Sequence, residues 1–219
     1  KPKKMNFTKQ DLIELKHSQI LTQNAKMKKT SKETGTRIFN FGITAYKSHS
    51  TGRITCPLAD TCVNLCYASK RSYTWTNTKK AYERRYLLTK DKALFMQKMS
   101  DAIKNRKPTH LRIHDSGDFY NREYIKNWFS IMEQFPNVIF YAYTKSKLFF
   151  DTFKNIPTNF TLIYSIGSKR DELINLDKDR HAKIFKNEYD LLNEGYINAS
   201  ENDLIAINKE NKKIGLIFH

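Results

Sequence analysis

The chain of 219 residues contains little cysteine, glycine or proline: 3, 7 and 5 residues respectively. So few glycines and prolines exclude a collagen-like or linker-dominated protein. No apolar run approaches the ~20 residues of a membrane-spanning helix, so we expect no membrane segment. No apolar segment follows the charged residues at the start, which argues against a secretory signal. The cysteines are odd in number and crowded together, unlike a disulfide framework, and we therefore expect a protein of the reducing cytoplasm.

Acidic residues are also few relative to basic ones, 22 against 39, so that the formal net charge is +17. Hydrophobic residues make up 39% of the chain, which is enough to build one core, and the length predicts a single domain. Residues 1–36 are predicted to form a basic extension, in which Thr8 and Asp11 have the spacing of a capping box and begin a short helix. Residues 37–219 are predicted to form the folded domain.

Strand-like and helix-like segments alternate along that domain. Strands are predicted at residues 37–46, 109–114, 137–143, 160–166, 204–207 and 214–218. Helices are predicted within 77–105, after Asn121, at 148–153 and within the charged stretch 167–194. This alternation is typical of an α/β fold with parallel strands. About six strands suit a partial (β/α)6 TIM-like barrel better than a full eight-stranded one, and an open doubly wound sheet is the alternative.

The cysteines form one cluster, in which Cys56, Cys62 and Cys66 follow the first strand with the spacing C-x5-C-x3-C. They stand among polar residues rather than at apolar positions, which favours one metal site over three separate core residues. Three thiolates can hold a 4Fe-4S cluster and leave one iron open, whereas zinc needs a fourth ligand. We favour the cluster. The candidate fourth ligands of a zinc ion are His49, His110 and His114.

Polar residues follow the next three predicted strands. Ser116, Gly117 and Asp118 come after the second strand, Lys145 follows the third, and Ser165 lies near the end of the fourth. Since the carboxyl ends of parallel strands meet at one edge, we expect these residues to line a pocket with the cysteines. Gly117 would let a ligand approach the backbone, and Asp118 would accept hydrogen bonds from an ammonium group. An ordinary turn before a helix is the alternative.

Four pieces of the sequence resemble the bacteriophage gene product 88 family, whose members are radical S-adenosylmethionine-like proteins. The pieces are Phe41-Gly-Ile-Thr-Ala, the three cysteines with Tyr67-Ala68, Leu111-Arg-Ile-His-Asp-Ser-Gly-Asp-Phe119 and Tyr141-Ala-Tyr-Thr-Lys-Ser146. The resemblance spans residues 37–219 and implies a partial barrel with a 4Fe-4S cluster on Cys56, Cys62 and Cys66. It places Ser116-Gly117-Asp118 where the wider superfamily has a Gly-Gly-Glu motif that binds the methionyl amine. The usual superfamily loop is C-x3-C-x2-C, so the spacing here is wider.

The resemblance implies an enzyme that cleaves S-adenosylmethionine to a 5′-deoxyadenosyl radical, with an electron donor as partner and a substrate that the sequence does not identify. If the chain is phage-encoded, it works in the cytoplasm of the host cell. The alternative function is a non-enzymatic iron-sulfur or zinc protein that binds nucleic acid.

Basic and aromatic residues are interleaved between positions 70 and 90. They are Lys70, Arg71, Tyr73, Trp75, Lys79, Lys80, Tyr82, Arg84, Arg85, Tyr86 and Lys90. Cations beside aromatic rings suit phosphate contacts and base stacking, so the segment predicts RNA or DNA as a partner. We expect at least one of Arg84 and Arg85 to point to solvent. A solvated helix face is the alternative interpretation.

Overall fold

Seven strands form one sheet within residues 7–66, 68 and 70–218, the part of the chain that the computed structural model describes. The strands are β1 (Ile38–Phe41), β2 (His110–Ile113), β3 (Ile139–Thr144), β4 (Phe160–Ser165), β5 (His181–Phe185), β6 (Ile197–Asn198) and β7 (Lys213–Ile217). Their order is β1-β2-β3-β4-β5-β7-β6, and every neighbouring pair is parallel. The prediction of an α/β fold with parallel strands in a single domain is confirmed.

The described residues form nine α-helices, six of which are capped at the amino end by a short polar side chain. They are α1 (Lys9–Ile13), α2 (Ala25–Thr34), α3 (Cys62–Leu65), α4 (Thr76–Leu88), α5 (Lys92–Arg106), α6 (Arg122–Gln134), α7 (Lys147–Phe150), α8 (Glu188–Asn193) and α9 (Asp203–Ile207). Asn121 accepts a hydrogen bond from the backbone N–H of Tyr124, and Thr8 and Asp11 form the predicted capping box. None of the described helices is long and apolar enough to cross a membrane.

The strand order excludes a doubly wound sheet. In a doubly wound sheet the first strand lies in the interior of the sheet, and successive strands are added first on one side of it and then on the other. Here β1 is an edge strand, and the order runs without reversal from β1 to β5. Right-handed crossovers in one direction place the connecting helices on one face of a sheet. The carboxyl ends of all the strands meet at one edge.

The two faces of the sheet are covered differently. On one face Phe41, Leu111 and Phe140 pack with Phe95 and Trp128 of α5 and α6 in the main core. On the other face α2 and α9 supply the cover. Side chains that pack there include Met27, Ile38, Tyr141, Ile163, Ala206 and Ile214. Because these short helices cover only part of that face, the part near the carboxyl ends stays open and forms a cavity.

A buried ionic network ties the two short helices to the sheet. The Asp203 carboxylate of α9 lies 2.6 Å from Lys26 Nζ and 3.2 Å from Arg112 Nη1, and it accepts a hydrogen bond from the Tyr141 hydroxyl at 3.0 Å. Burial raises the pKa of Asp203, but the two cations outweigh burial and hold that pKa below its usual value. The carboxylate is therefore charged, and Arg112 is fixed at the floor of the cavity.

Four sequence-based assignments differ from the structure. Residues 204–207 were predicted as a strand but belong to α9, because Asn202 accepts a hydrogen bond from Leu204 N–H and caps a helical turn. The charged stretch 167–194 contains β5 and only the short helix α8. With β6 the sheet has seven strands among the described residues instead of six. The first strand ends at Phe41, because Ile43 N–H turns to donate to Ser116 O at 2.9 Å.

The amino-terminal segment shares the core of the domain. Leu12, Ile20 and Leu21 are buried in the main core, and Thr22 pairs with Asn40 of β1. The boundary predicted at residue 36 therefore does not coincide with a break in packing. Residues 1–6 of the predicted basic extension lie outside the described residues.

Candidate metal and cofactor site

The segment that carries the cysteines is tied to the ends of two strands. Asp118 N–H, after β2, donates to Thr55 O at 3.2 Å. On the other side Asp60 N–H donates to Gly167 O at 3.3 Å, and Lys169 N–H donates to Leu58 O at 2.9 Å. These backbone bonds fix the cysteine segment over the carboxyl edge of the sheet, between the loops that follow β2 and β4.

A cavity of about 620 Å³ lies at this edge. Its wall contains the three cysteines and all the residues that the sequence proposed for cofactor binding: Cys56, Cys62, Cys66, Ser116, Gly117, Asp118, Lys145 and Ser165. The volume falls in the range of small-molecule sites, roughly 300–1,000 Å³. The structure thus brings together residues from the cysteine segment and from the ends of β2, β3 and β4.

Cys56, Cys62 and Cys66 form no disulfide bond, and all three lie on this wall. Cys62 begins α3 and Cys66 follows it at the C-cap, one helical turn further along. Burial raises the pKa of the Cys56 thiol, and the nearby Asp118 carboxylate adds to that rise. Burial also raises the pKa of Cys62, and Lys145 opposes that rise. Thiols bind metals as thiolates, so metal binding here releases protons.

The three cysteine side chains are ligands of the chemical type that binds an iron-sulfur cluster. Three thiols share one cavity wall, and thiolates are the ligands of such clusters. Among the described residues no group of three His, Cys, Asp or Glu side chains is already arranged to hold a metal ion.

The three histidines considered for zinc lie in different places. His110 begins β2, at the opposite end of that strand from the cysteines. His49 lines a neighbouring side cavity of about 180 Å³. His114 borders the main cavity, but its Nε2 lies 3.0 Å from the Tyr124 hydroxyl and its ring packs edge-on against Phe119. Burial lowers the pKa of His114 to about 3, so this imidazole is neutral.

Asp118 braces two strand ends. Its Oδ1 accepts hydrogen bonds from Thr144 Oγ1 at 2.6 Å and from Phe119 N–H at 2.7 Å, and its Oδ2 accepts from Lys145 N–H at 2.9 Å. Burial raises the pKa of this carboxyl in spite of these donors. A carboxylate offers about four acceptor positions, so three contacts leave room for one more from a ligand.

Lys145 is held in place by Ser165 and its neighbour. The ammonium donates to Ser165 Oγ at 3.1 Å, to Ser165 O at 3.2 Å and to Ile166 O at 2.9 Å. The same ammonium lowers the pKa of the Cys62 thiol against the effect of burial. Lys145 therefore supplies a fixed positive charge beside one of the three candidate metal ligands.

Position 117 requires glycine for a packing reason that the sequence did not predict. Its φ of +78° is left-handed, and a Cβ at this position would lie 2.3 Å from Ile43 Cγ1. The close neighbour is thus Ile43, in the segment that directly follows β1, where the sequence had suggested a ligand. Gly42 is equally confined, since a Cβ there would lie 1.9 Å from Asp115 Oδ1. Both glycines let the segment after β1 pass directly over the end of β2.

We expect Gly117→Ala to destabilise the protein more than Gly52→Ala. Both glycines have left-handed φ values, but Gly52 has no closer neighbour than Lys47 Cε at 3.9 Å, so it is a matched control for backbone strain. The added clash with Ile43 should lower the free energy of unfolding by a further 1–3 kcal/mol, roughly the cost of overpacking. Urea unfolding of the two variants measures this difference. Equal stabilities would show that the segment does not pass this close to Gly117.

Arg112, Asp115 and Glu83 are among the residues of the site that were not proposed from the sequence. Arg112 and Asp115 line the cavity, and the Asp115 carboxylate accepts hydrogen bonds from the hydroxyls of Tyr82 at 2.6 Å and Tyr73 at 3.2 Å. Arg112 lies on the face of β2 opposite to Leu111 and Ile113, which the alternation of that strand could have indicated. The third residue, Glu83 of α4, does not line the cavity but anchors the segment that precedes the cysteines.

Glu83 anchors the segment that precedes the cysteines. Its carboxylate accepts hydrogen bonds from Thr44 Oγ1 at 2.8 Å, Ser48 Oγ at 2.6 Å, His49 N–H at 3.0 Å and Ser50 N–H at 3.2 Å, and also from the Ser50 hydroxyl. The side chain is fully buried. No local pattern marks it, because its partners lie more than 30 positions away in the sequence.

Only some side chains of the basic segment 70–90 are exposed to solvent. Arg85 is buried, with its guanidinium 4.6 Å from the centroid of the Tyr82 ring, and Tyr86 is also buried. Arg84 is half-buried and lies over the Phe7 ring, so neither arginine is fully exposed. Reversing both charges would therefore disturb the fold. Lys70, Trp75 and Lys80 are exposed. The side chain of Arg71 and all of Tyr67 lie outside what the structure describes.

The fold and the site together define an α/β protein with a parallel sheet and a thiol-lined cavity at its carboxyl edge. The family model named Gene product 88 matches residues 18–217, and the chain belongs to this family. A relative is the Gene 88 protein of Mycobacterium phage D29, which is 28% identical over 102 residues. That match covers 42% of this chain and 42% of the phage protein. No solved structure matches the chain.

Proposed function

We propose that this protein is an iron-sulfur enzyme of the radical S-adenosylmethionine type. In this proposal Cys56, Cys62 and Cys66 hold one 4Fe-4S cluster with an open iron, and the cavity receives S-adenosylmethionine and a substrate. The sheet then corresponds to the wall of a partial barrel. The protein works in a reducing cytoplasm, that of the host cell for a phage-encoded chain, and receives electrons from a donor protein.

One observation carries the proposal: the three cysteines share the wall of a single cavity with the residues that follow β2, β3 and β4. Three thiolates satisfy a cubane cluster and leave one iron for a cofactor. The unbroken strand order from β1 to β5 supports the partial barrel, since it is the order of a sheet wound in one direction. His49 and His110 do not line this cavity, and His114, which does, is in hydrogen-bond contact with the Tyr124 hydroxyl through Nε2.

The residues of the chain prepare the cavity for a charged cofactor. Lys145 places a positive charge beside Cys62 and so favours its thiolate. Asp115 and Asp118 supply carboxylates for an ammonium group, and Ser116 adds a hydroxyl. When bound, the cluster and S-adenosylmethionine together supply one-electron chemistry that starts with reductive cleavage of the cofactor. The cavity wall shields this chemistry from water.

The test is the response of anaerobically prepared protein to S-adenosylmethionine. We expect the electron paramagnetic resonance signal of the reduced cluster to change when the cofactor is added, and 5′-deoxyadenosine to form under reducing conditions. Both responses should be absent in the Asp115→Asn/Asp118→Asn variant if it still holds the cluster. If the wild type forms a cluster but S-adenosylmethionine changes neither measurement, the protein is a non-enzymatic iron-sulfur protein. If the wild type contains zinc instead of iron, it is a zinc protein.

A further inference from the structure

The cavity has an apolar platform that the proposed chemistry does not use. Ile184 of β5 and Leu216 of β7 are register partners, so their side chains lie next to each other. Phe218 stands two residues after Leu216 and therefore continues the same face. All three residues line the cavity, yet Ile184 is 52% and Phe218 is 45% exposed. This much exposed apolar surface inside a cavity indicates a ligand with an apolar face.

Positive charges border the platform. Lys70 Nζ lies 5.6 Å from the centroid of the Phe218 ring, and Lys186 lines the cavity two residues after Ile184. Both lysines are exposed. Lys183 is also on the wall, but its ammonium pairs with Glu194 and is largely neutralised. The platform is thus an apolar and aromatic surface flanked by two exposed ammonium groups.

The same combination of groups continues outside the cavity. The side cavity shares Ala45, Ala68 and Ser116 with the main cavity, and Thr74 and Lys79 lie on its wall. Trp75, the next residue after Thr74, is 67% exposed. A second exposed aromatic ring therefore lies beside the cavity system, close in sequence to a lysine.

We propose that this surface binds a single-stranded nucleic acid, with one base on the platform of Ile184, Leu216 and Phe218 and with phosphates beside Lys70 and Lys186. Unpaired bases stack on aromatic rings while cations track the backbone, which is the arrangement of exposed groups here. A duplex does not fit this surface, because its base faces are stacked inside the helix and it is too large to enter a cavity of about 620 Å³. A polymer accounts for Trp75, and for the net charge of +17, better than a free nucleotide does.

This inference rests on the proposed function only for the chemical reaction on a bound nucleic acid, because binding to the platform needs no cluster.

The inference changes the sequence-based hypothesis of nucleic-acid binding by residues 70–90 in one respect. The nucleic-acid path is now at the mouth of the cavity, and Arg85 and Tyr86 of α4 have no part in it because they are buried.

The experiment is fluorescence anisotropy with labelled single-stranded RNA and DNA of about 12 nucleotides, a length within the usual site sizes. At roughly 50 mM salt we expect measurable binding by the wild type. Lys70→Glu/Lys186→Glu should weaken it more than about tenfold and reduce the salt slope by about 0.7 for each lysine. Phe218→Ala should weaken it about tenfold. The matched controls are Lys154→Glu and Tyr189→Ala, exposed residues away from the cavity wall, which should bind like the wild type.

Three results would overturn the inference: no binding by the wild type, platform variants that bind as tightly as the controls, or displacement by an equal concentration of a nucleoside monophosphate. The last result would show that a free nucleotide occupies the platform. Iron content is recorded in the same preparations. Absence of binding by wild-type protein that holds its cluster refutes this inference alone, and binding by wild-type protein that never acquires iron refutes the proposed function alone.

Discussion

Replacing any one of Cys56, Cys62 and Cys66 by Ala should abolish the brown colour and the iron content of the anaerobically purified protein. Each thiolate holds a different iron of a cubane, and the chain contains 3 cysteines in all, so no other cysteine can take over. We expect iron to fall to near zero in each single variant. Absorption near 400 nm and iron analysis measure the effect.

The control for this experiment is Thr61→Ala, which changes an exposed neighbour on the same segment without removing a thiol. It should retain the colour of the wild type. Far-ultraviolet circular dichroism should show that the cysteine variants are folded, because the main core lies on the other face of the sheet. A folded variant that keeps its iron after loss of one cysteine would contradict the assignment of three ligands.

Glu83→Gln should strongly destabilise the protein and reduce cluster occupancy. The carboxylate accepts five hydrogen bonds from the segment 44–50, and an amide offers one oxygen where the carboxylate offers two. Buried donors left without an acceptor cost about 1–3 kcal/mol each, so we expect a loss of about 3 kcal/mol in the free energy of unfolding. Glu133→Gln, on the exposed side of α6, is the control and should change stability by less than about 0.5 kcal/mol.

The pH dependence of this effect follows from the pKa of Glu83. Burial would raise that pKa, but hydrogen bonds from Ser48, Ser50, Thr44 and His49 outweigh burial and hold it below its usual value. A lowered pKa in the folded state stabilises the protein above the unfolded value of about 4.3, and this stabilisation is lost as the pH falls through the folded value. The difference between wild type and Glu83→Gln should therefore be largest at neutral pH and shrink below about pH 4. A difference that grows in acid would contradict the charged state of Glu83.

The sequence predicted those parts of the fold that local patterns determine. Asn121 caps α6 as expected, and the apolar run ending at Thr144 is a strand. Residues 204–207 were mistaken for a strand because four consecutive apolar residues fit either period. Strand β5 was missed because its residues, His181–Phe185, lie in a charged stretch and Ile184 faces the open cavity instead of the core.

The site was predicted as far as topology determines it. Parallel strands end at one edge, so the residues after β2, β3 and β4 had to meet the cysteine segment, and the structure places them on one wall. The hydrogen-bond partners of Asp118 and Glu83 could not be predicted. They depend on contacts between residues distant in sequence, such as Thr144 with Asp118 and Ser48 with Glu83. The platform beside Phe218 was missed for the same reason, since it needs the pairing of β5 with β7.

The most direct test of the central claim is the metal and sulfide content of wild-type protein purified without oxygen from iron-replete cells. The three cysteines on one cavity wall predict about four iron atoms and four acid-labile sulfides per chain, with no stoichiometric zinc. One zinc per chain and no iron would contradict the account.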